Sequence, residues 1–138
     1  MCLKLFKRKQ KQISLVLAGP ELELFTRALK SEIDRMNGKP NHSKIESFSY
    51  TVATRYYSMI RFEGINHVLT LPFTKADSTD MLTLIVILMV EADKTEDPTD
   101  KLTIKLIAQR IQEIHKVLGG VAYEVGFRFS CPPTRIYS

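Results

Sequence analysis

Two stretches of the chain place apolar residues at steps of three and four, the spacing of an amphipathic helix. One opens at Gly19-Pro20 and the other at Asp97-Pro98, and a proline in the first turn costs a helix no hydrogen bond. Glycine follows both stretches, and Asn37-Gly38 predicts a left-handed cap for the first. We therefore predict helices over about residues 20–37 and 97–118. Their apolar stripes are Leu22, Phe25, Leu29, Ile33 and Met36 in the first, and Ile104, Ile107, Ile111, Ile114 and Leu118 in the second.

Other stretches have the composition of β-strands. The run Met81 to Val90 is apolar except for Thr83, and periodicity alone does not separate a buried strand from a buried helix. Its Ile-Val-Ile centre and its length favour a central strand. Further strands are indicated at 13–17, 47–52, 56–62, 65–71 and 121–129.

The resulting element order is β-α-β-β-β-β-α-β. Because helices and strands do not alternate regularly, we predict an α+β fold rather than a doubly wound one. We expect a largely antiparallel sheet with both amphipathic helices on one face. Residues 1–12 are a basic tail, 13–131 are a single domain, and 132–138 are a short C-terminal tail.

Charge is distributed unevenly along the chain. The 20 Lys and Arg and 15 Asp and Glu give a net charge of +5. Residues 1–12 hold five cations and no acid, which leaves 15 basic and 15 acidic residues for 13–138. The whole excess of positive charge therefore belongs to the tail, and it predicts a contact with something anionic.

Apolar and basic residues interleave in this tail. Near an anionic lipid leaflet each Lys or Arg contributes about 1 kcal/mol to binding. Cys2 is a candidate acylation site, because a lipid chain and a basic segment together bind a membrane stably where either alone binds weakly. The tail alternatively acts only as a solubilising segment, or binds nucleic acid, whose phosphates attract the same cations. Interleaved leucine and phenylalanine favour lipid. The candidate membrane- or polyanion-binding residues are Lys4, Leu5, Phe6, Lys7, Arg8, Lys9 and Lys11.

A second candidate for nucleic-acid contact lies in the predicted strand at 56–62. Tyr56 and Tyr57 beside Arg55 and Arg61 indicate a surface on which bases stack. The alternative is that all four are ordinary strand residues.

The sequence contains none of the common catalytic signatures. Its glycines form neither a phosphate-binding loop nor a dinucleotide fingerprint, and no G-x-S-x-G motif is present. His42, His67 and His115 are scattered, and the third, near Glu113 and Lys116, indicates a solvated helix face. The acids between 93 and 100 lack the glycine and the terminal glutamate of a calcium loop, and indicate a solvated loop with a helix cap. We expect no enzyme, no metal and no cofactor.

Targeting signals are also missing from the sequence. The first residues have no apolar core of a secretory signal, and the longest apolar run is half the roughly 20 residues of a spanning helix. Cys2 and Cys131 match no metal or redox spacing, so we expect free thiols rather than a disulfide. These features predict a cytoplasmic protein, peripheral to a membrane.

The stretch from Phe25 to Gly38, followed by Lys39 to His42, looks like the first helix and the following basic loop of a known family, the rhabdovirus matrix proteins. The chain resembles that family, and the similarity is strongest at this stretch. The resemblance implies a coat on the inner face of an envelope that contacts nucleocapsid and itself. The chain is shorter than its usual members and lacks their PPxY motif, since Pro132-Pro133-Thr134-Arg135 has no tyrosine in register.

From these features we predict a non-enzymatic, matrix-like assembly protein. Its tail would bind an anionic membrane surface, and its domain would self-associate or contact nucleoprotein or RNA. If the resemblance holds, the protein is found in the virion and the host cell. The alternatives are a nucleic-acid-binding accessory protein, and a small cytosolic ligand-binding domain or enzyme whose site is assembled from distant residues.

Overall fold

The computed structural model describes residues 11–63 and 68–119. In this part the chain forms two strands and four helices. A 3-10 turn, Lys75–Asp77, joins the second strand to the third helix. The elements are β1 (Gln12–Ala18), α1 (Pro20–Asn37), α2 (Lys44–Glu63), β2 (Val68–Thr74), α3 (Ser78–Lys94) and α4 (Pro98–Val117).

Helix and strand do occur together, but the described part is mostly helical, and its order is β-α-α-β-α-α. The predicted order and number of strands are therefore wrong. Strand β1 agrees with the prediction, and β2 begins later and ends later than the predicted strand at 65–71. The strand predicted at 121–129 lies outside the described residues.

Helix α2 replaces the two strands predicted at 47–52 and 56–62. Its start carries a capping box, because the Ser43 hydroxyl accepts from the Glu46 N–H at 3.1 Å and Glu46 accepts from the Ser43 N–H at 3.0 Å. The Lys39 ammonium and the Ser43 N–H hold the pKa of Glu46 at about 2. Val52, Tyr56 and Ile60 are buried at four-residue steps, which is helical spacing.

Helix α3 replaces the central strand predicted at 81–90. The β-branched centre of the run favours a strand locally, but tertiary packing decides the outcome. The buried positions of α3 recur at three- and four-residue steps and continue past the apolar run. They are Met81, Leu84, Ile85, Ile87, Leu88, Glu91 and Ala92.

The two predicted amphipathic helices are confirmed as α1 and α4. Asp97 caps α4 by accepting from the Asp100 N–H at 2.9 Å. At the end of α1 the prediction of a left-handed cap is wrong, since Gly38 has φ −82°. In the described residues two glycines have positive φ: Gly19, which turns β1 into α1 at φ 57°, and Gly119, which follows α4 at φ 84°.

Strands β1 and β2 pair antiparallel, so that Leu15 faces Leu71 and Leu17 faces Leu69. These side chains point into the core, where α1 and α4 contact β1 and α2 contacts β2. On the other face Val16 is exposed. The sheet therefore forms one wall of a core that the four helices fill. None of the described helices has the length and apolar content that crossing a bilayer requires.

Candidate polyanion-binding site

The basic tail joins the domain at the first strand. Gln12 opens β1 and pairs with Thr74, the last residue of β2. Lys11, just before it, is exposed. Of the candidate membrane- or polyanion-binding residues only Lys11 is described, and residues 4–9 and the candidate acylation site Cys2 lie outside the described part.

The chain leaves β2 through a tightly bonded turn. The Thr74 N–H donates to Asp77 Oδ2 at 2.8 Å, and Thr74 Oγ1 accepts from the Ala76 N–H at 3.2 Å. This reciprocal arrangement satisfies donors at the start of the turn, as a capping box does at a helix. It leaves the Lys75 side chain exposed beside the strand end from which the tail departs.

A side-chain contact brings the start of α3 and the end of α4 to the same place. Ser78 Oγ lies 2.7 Å from His115 Nε2. The imidazole is fully buried, and burial lowers the pKa of His115 below its usual range. The prediction of a solvated His115 is therefore wrong. It lies four residues beyond Ile111 and continues the buried stripe of α4, a signal that the sequence contained.

These contacts define the tail end of the domain: Lys11, Thr74–Ser78 and His115–Gly119. Residues 1–10 precede it and residues 120–138 follow it in the sequence, so both terminal segments attach here. Its exposed cations are Lys11, Lys75 and Lys116. Asp77 is engaged in the turn, and Glu113 is the exposed acid nearby on α4. Within the described residues, this end adds cations to those of the tail.

The residues of the second predicted contact surface lie on α2 and not on the predicted strand, and two of them have partners inside the protein. Tyr56 is 6% exposed, and its hydroxyl donates to Asp80 Oδ2 at 3.1 Å. Burial, and then the Asp80 carboxylate, raise the pKa of Tyr56. Arg55 donates to the same carboxylate at 2.6 Å. Tyr57 is half-buried and Arg61 is exposed, and nucleic-acid contact through these residues stays a prediction.

A buried carboxylate ties three helices together away from the tail end. Glu91 of α3 is 6% exposed and accepts from Arg27 Nε of α1 at 2.9 Å. Arg27 also donates to Thr95 Oγ1 at 2.9 Å and lies 3.8 Å from the Asp100 carboxylate of α4. This cluster was not predicted from the sequence. The signal was an acid at position 91, in phase with buried Leu84 and Leu88.

Glu32 is a second buried carboxylate, 5% exposed on α1. It accepts from Ser49 Oγ of α2 at 2.7 Å and from Arg35 Nη2 at 2.9 Å. Hydrogen-bond donors reach both oxygens of Glu32, as a buried charge requires. Both carboxylates therefore fix how helices pack.

The other two histidines and the acidic segment at 93–100 lie at separate places in the sequence. His42 Nε2 lies 2.7 Å from the Met36 carbonyl, between α1 and α2, and His67 lies outside the described residues. In residues 11–63 and 68–119 no three His, Cys, Asp or Glu side chains group closely enough to hold a metal ion. In the acidic segment, the predicted helix cap is present at Asp97.

Comparison with known proteins gives no relative. No family model, no curated protein sequence and no solved structure matches the chain.

Proposed function

We propose that this protein is a non-enzymatic structural protein of the viral-matrix kind. Its basic N-terminal tail binds an anionic membrane surface, and its domain self-associates or contacts nucleoprotein. In that setting it lies on the cytoplasmic side of a membrane in the host cell, and under the envelope in the virion.

The observation that carries the proposal is the division of charge. Five cations and no acid lie in residues 1–12, against 15 cations and 15 acids in the remainder. At about 1 kcal/mol for each cation near an anionic leaflet, the tail supplies at most about 5 kcal/mol. Leu5 and Phe6 add apolar contact with the interface.

The place where the tail attaches supports the same function. Lys11 is exposed where β1 begins, and Lys75 and Lys116 are exposed at the same end of the domain. A membrane that binds the tail therefore meets further cations on the domain. Because surface electrostatics decay over about 8 Å at physiological salt, only cations at this end contribute.

Co-sedimentation with phosphatidylserine vesicles tests the proposal in the full chain. One variant replaces Lys4, Lys7, Lys9 and Lys11 by glutamine. A matched control replaces four lysines of the domain, Lys30, Lys44, Lys101 and Lys105, and so has the same net charge. We expect the tail variant to lose at least about tenfold in affinity, since 1.4 kcal/mol is a factor of ten, and the control to lose much less.

Two results would contradict the proposal. Equal losses in both variants would mean that net charge alone drives binding. Strong binding of the tail to single-stranded RNA without binding to vesicles would favour a nucleic-acid-binding accessory protein instead.

A further inference from the structure

The outward face of α3 carries an apolar stripe. It consists of Leu82, Val86 and Val90, which stand four residues apart on one side of the helix, and the half-buried Met89 beside them packs against the core. Val86 is 58% exposed and Val90 is 38% exposed. Between Asp80 and Asp93 the helix has one charged residue, Glu91, and that side chain is buried on the opposite face.

Single exposed apolar residues are normal on a protein surface. This stripe differs because the other side of α3 already lies in the core, and from Met81 to Ala92 the only polar side chains of the helix are Thr83 and Glu91. Helices of that kind are usually buried on all sides. The exposed side therefore has the character of a contact surface.

The two ends of α3 carry opposite charge. At its start lies the tail end of the domain, where the cations Lys11, Lys75 and Lys116 are exposed against one exposed acid, Glu113. In its last turn and just beyond it, the acids Asp93, Glu96 and Asp97 are exposed. The exposed cations at this end are Lys94 and Arg27, and Arg27 is paired with the buried Glu91. A flat anionic membrane along the stripe would attract the first end and repel the second.

An antiparallel second copy matches both ends at once. We propose that α3 packs against α3 of a second copy of this chain, about a two-fold axis near Val86. Leu82 then meets Val90 of the other copy, and the basic end of each copy faces the acidic end of the other. Such a contact is isologous and closes as a dimer, and the two helix dipoles oppose each other favourably.

The size of the stripe sets the strength of the contact. From Leu82 to Val90 the helix rises about 12 Å at 1.5 Å per residue. A surface of this length buries less than the roughly 1,200 to 2,000 Å² of a standard stable interface, so the dimer is a weak one. A membrane that holds many copies by their tails raises the local concentration and favours the pairing. This step rests on the assembly part of the proposed function.

Sedimentation analysis of the full chain without lipid tests the contact. Val86→Lys places a charge at the proposed axis, and Leu102→Lys is a matched control at a residue of α4 that is 57% exposed. We expect a concentration-dependent dimer whose Kd rises at least tenfold in Val86→Lys and stays within about twofold in the control. A monomer up to millimolar concentration, or equal effects of the two substitutions, would overturn the inference.

Cross-linking tests the geometry independently. In a chain with Cys2→Ser and Cys131→Ser, Val86→Cys places one thiol of each copy beside the two-fold axis. A disulfide needs roughly 4.4 to 6.8 Å between the two Cα atoms, and residues beside the axis are expected to lie within that range. We expect Val86→Cys to form covalent dimers at least tenfold faster than Leu102→Cys. Equal rates would exclude a two-fold contact at Val86. Vesicle binding does not enter either measurement, so failure of the dimer leaves the tail function to be judged separately.

Discussion

Ser78 Oγ and His115 Nε2 lie 2.7 Å apart and join the first turn of α3 to the last turn of α4. The imidazole has no exposed surface, and its burial favours the neutral form. The contact therefore places a buried titratable side chain between α3 and α4.

The first prediction concerns the pH dependence of stability. Because the folded-state pKa of His115 is lowered, the unfolded chain takes up a proton at a higher pH than the folded chain does. The contribution of this residue is therefore fully present above about pH 6.5, the usual pKa of histidine, and is lost as the pH falls below that value. The loss is at most about 1.4 kcal/mol per pH unit.

Urea unfolding between pH 8 and pH 5 measures this effect. We expect His115→Gln, which cannot take up the proton, to show a smaller fall in stability over that range than the unchanged chain. Parallel curves for the two proteins would show that another group is responsible.

The second prediction concerns the buried pair of Arg27 and Glu91. Arg27→Met leaves the Glu91 carboxylate in the core without its closest donor. Breaking a fully buried pair costs about 3 to 5 kcal/mol, and the partial exposure of Arg27 reduces this to about 2 kcal/mol. Chemical denaturation measures the loss.

A double variant with Arg27→Met and Glu91→Met is the control for this pair. Because it removes the buried charge as well, it should recover most of the lost stability. Lys30→Met breaks the exposed pair with Asp34 and should cost no more than about 0.5 kcal/mol. A double variant less stable than Arg27→Met alone would contradict this account.

The third prediction compares two glycines. Gly19 has φ 57°, and a Cβ there would meet no atom within 4 Å, so Gly19→Ala is opposed by the backbone alone. We expect a loss of about 1 to 2 kcal/mol. Gly38 has φ −82°, and its added Cβ would make ordinary contacts at 3.7 Å, so Gly38→Ala should be neutral or slightly stabilising. Equal changes in melting temperature for Gly19→Ala and Gly38→Ala would contradict the assignment of a positive φ to Gly19 and a negative φ to Gly38.

Part of the fold could be predicted from the sequence and part could not. Helices α1 and α4 were predictable because a first-turn proline, a stop and an amphipathic stripe agree with one another. For α3 the β-branched run from Met81 to Val90 gave a strand preference that packing against α4 overrode. For α2 the capping box of Ser43 and Glu46 was visible in the sequence and outweighs the short alternation after it.

The candidate site was predictable only as a charge pattern. The excess of lysine and arginine in residues 1–12 follows from counting alone. Its link to Lys75 and Lys116 does not, because that depends on the pairing of Gln12 with Thr74 and on the Ser78–His115 contact. Residues separated by so many positions meet only through the tertiary fold.

The central claim is that the tail is an electrostatic membrane anchor. The direct measurement is co-sedimentation with phosphatidylserine vesicles, at low and at physiological salt, of the full chain and of a chain that begins at Gln12. We predict that the full chain pellets, that salt weakens its binding, and that the shortened chain, which keeps β1, stays in solution. Equal pelleting of both chains, or none by either, would contradict the claim.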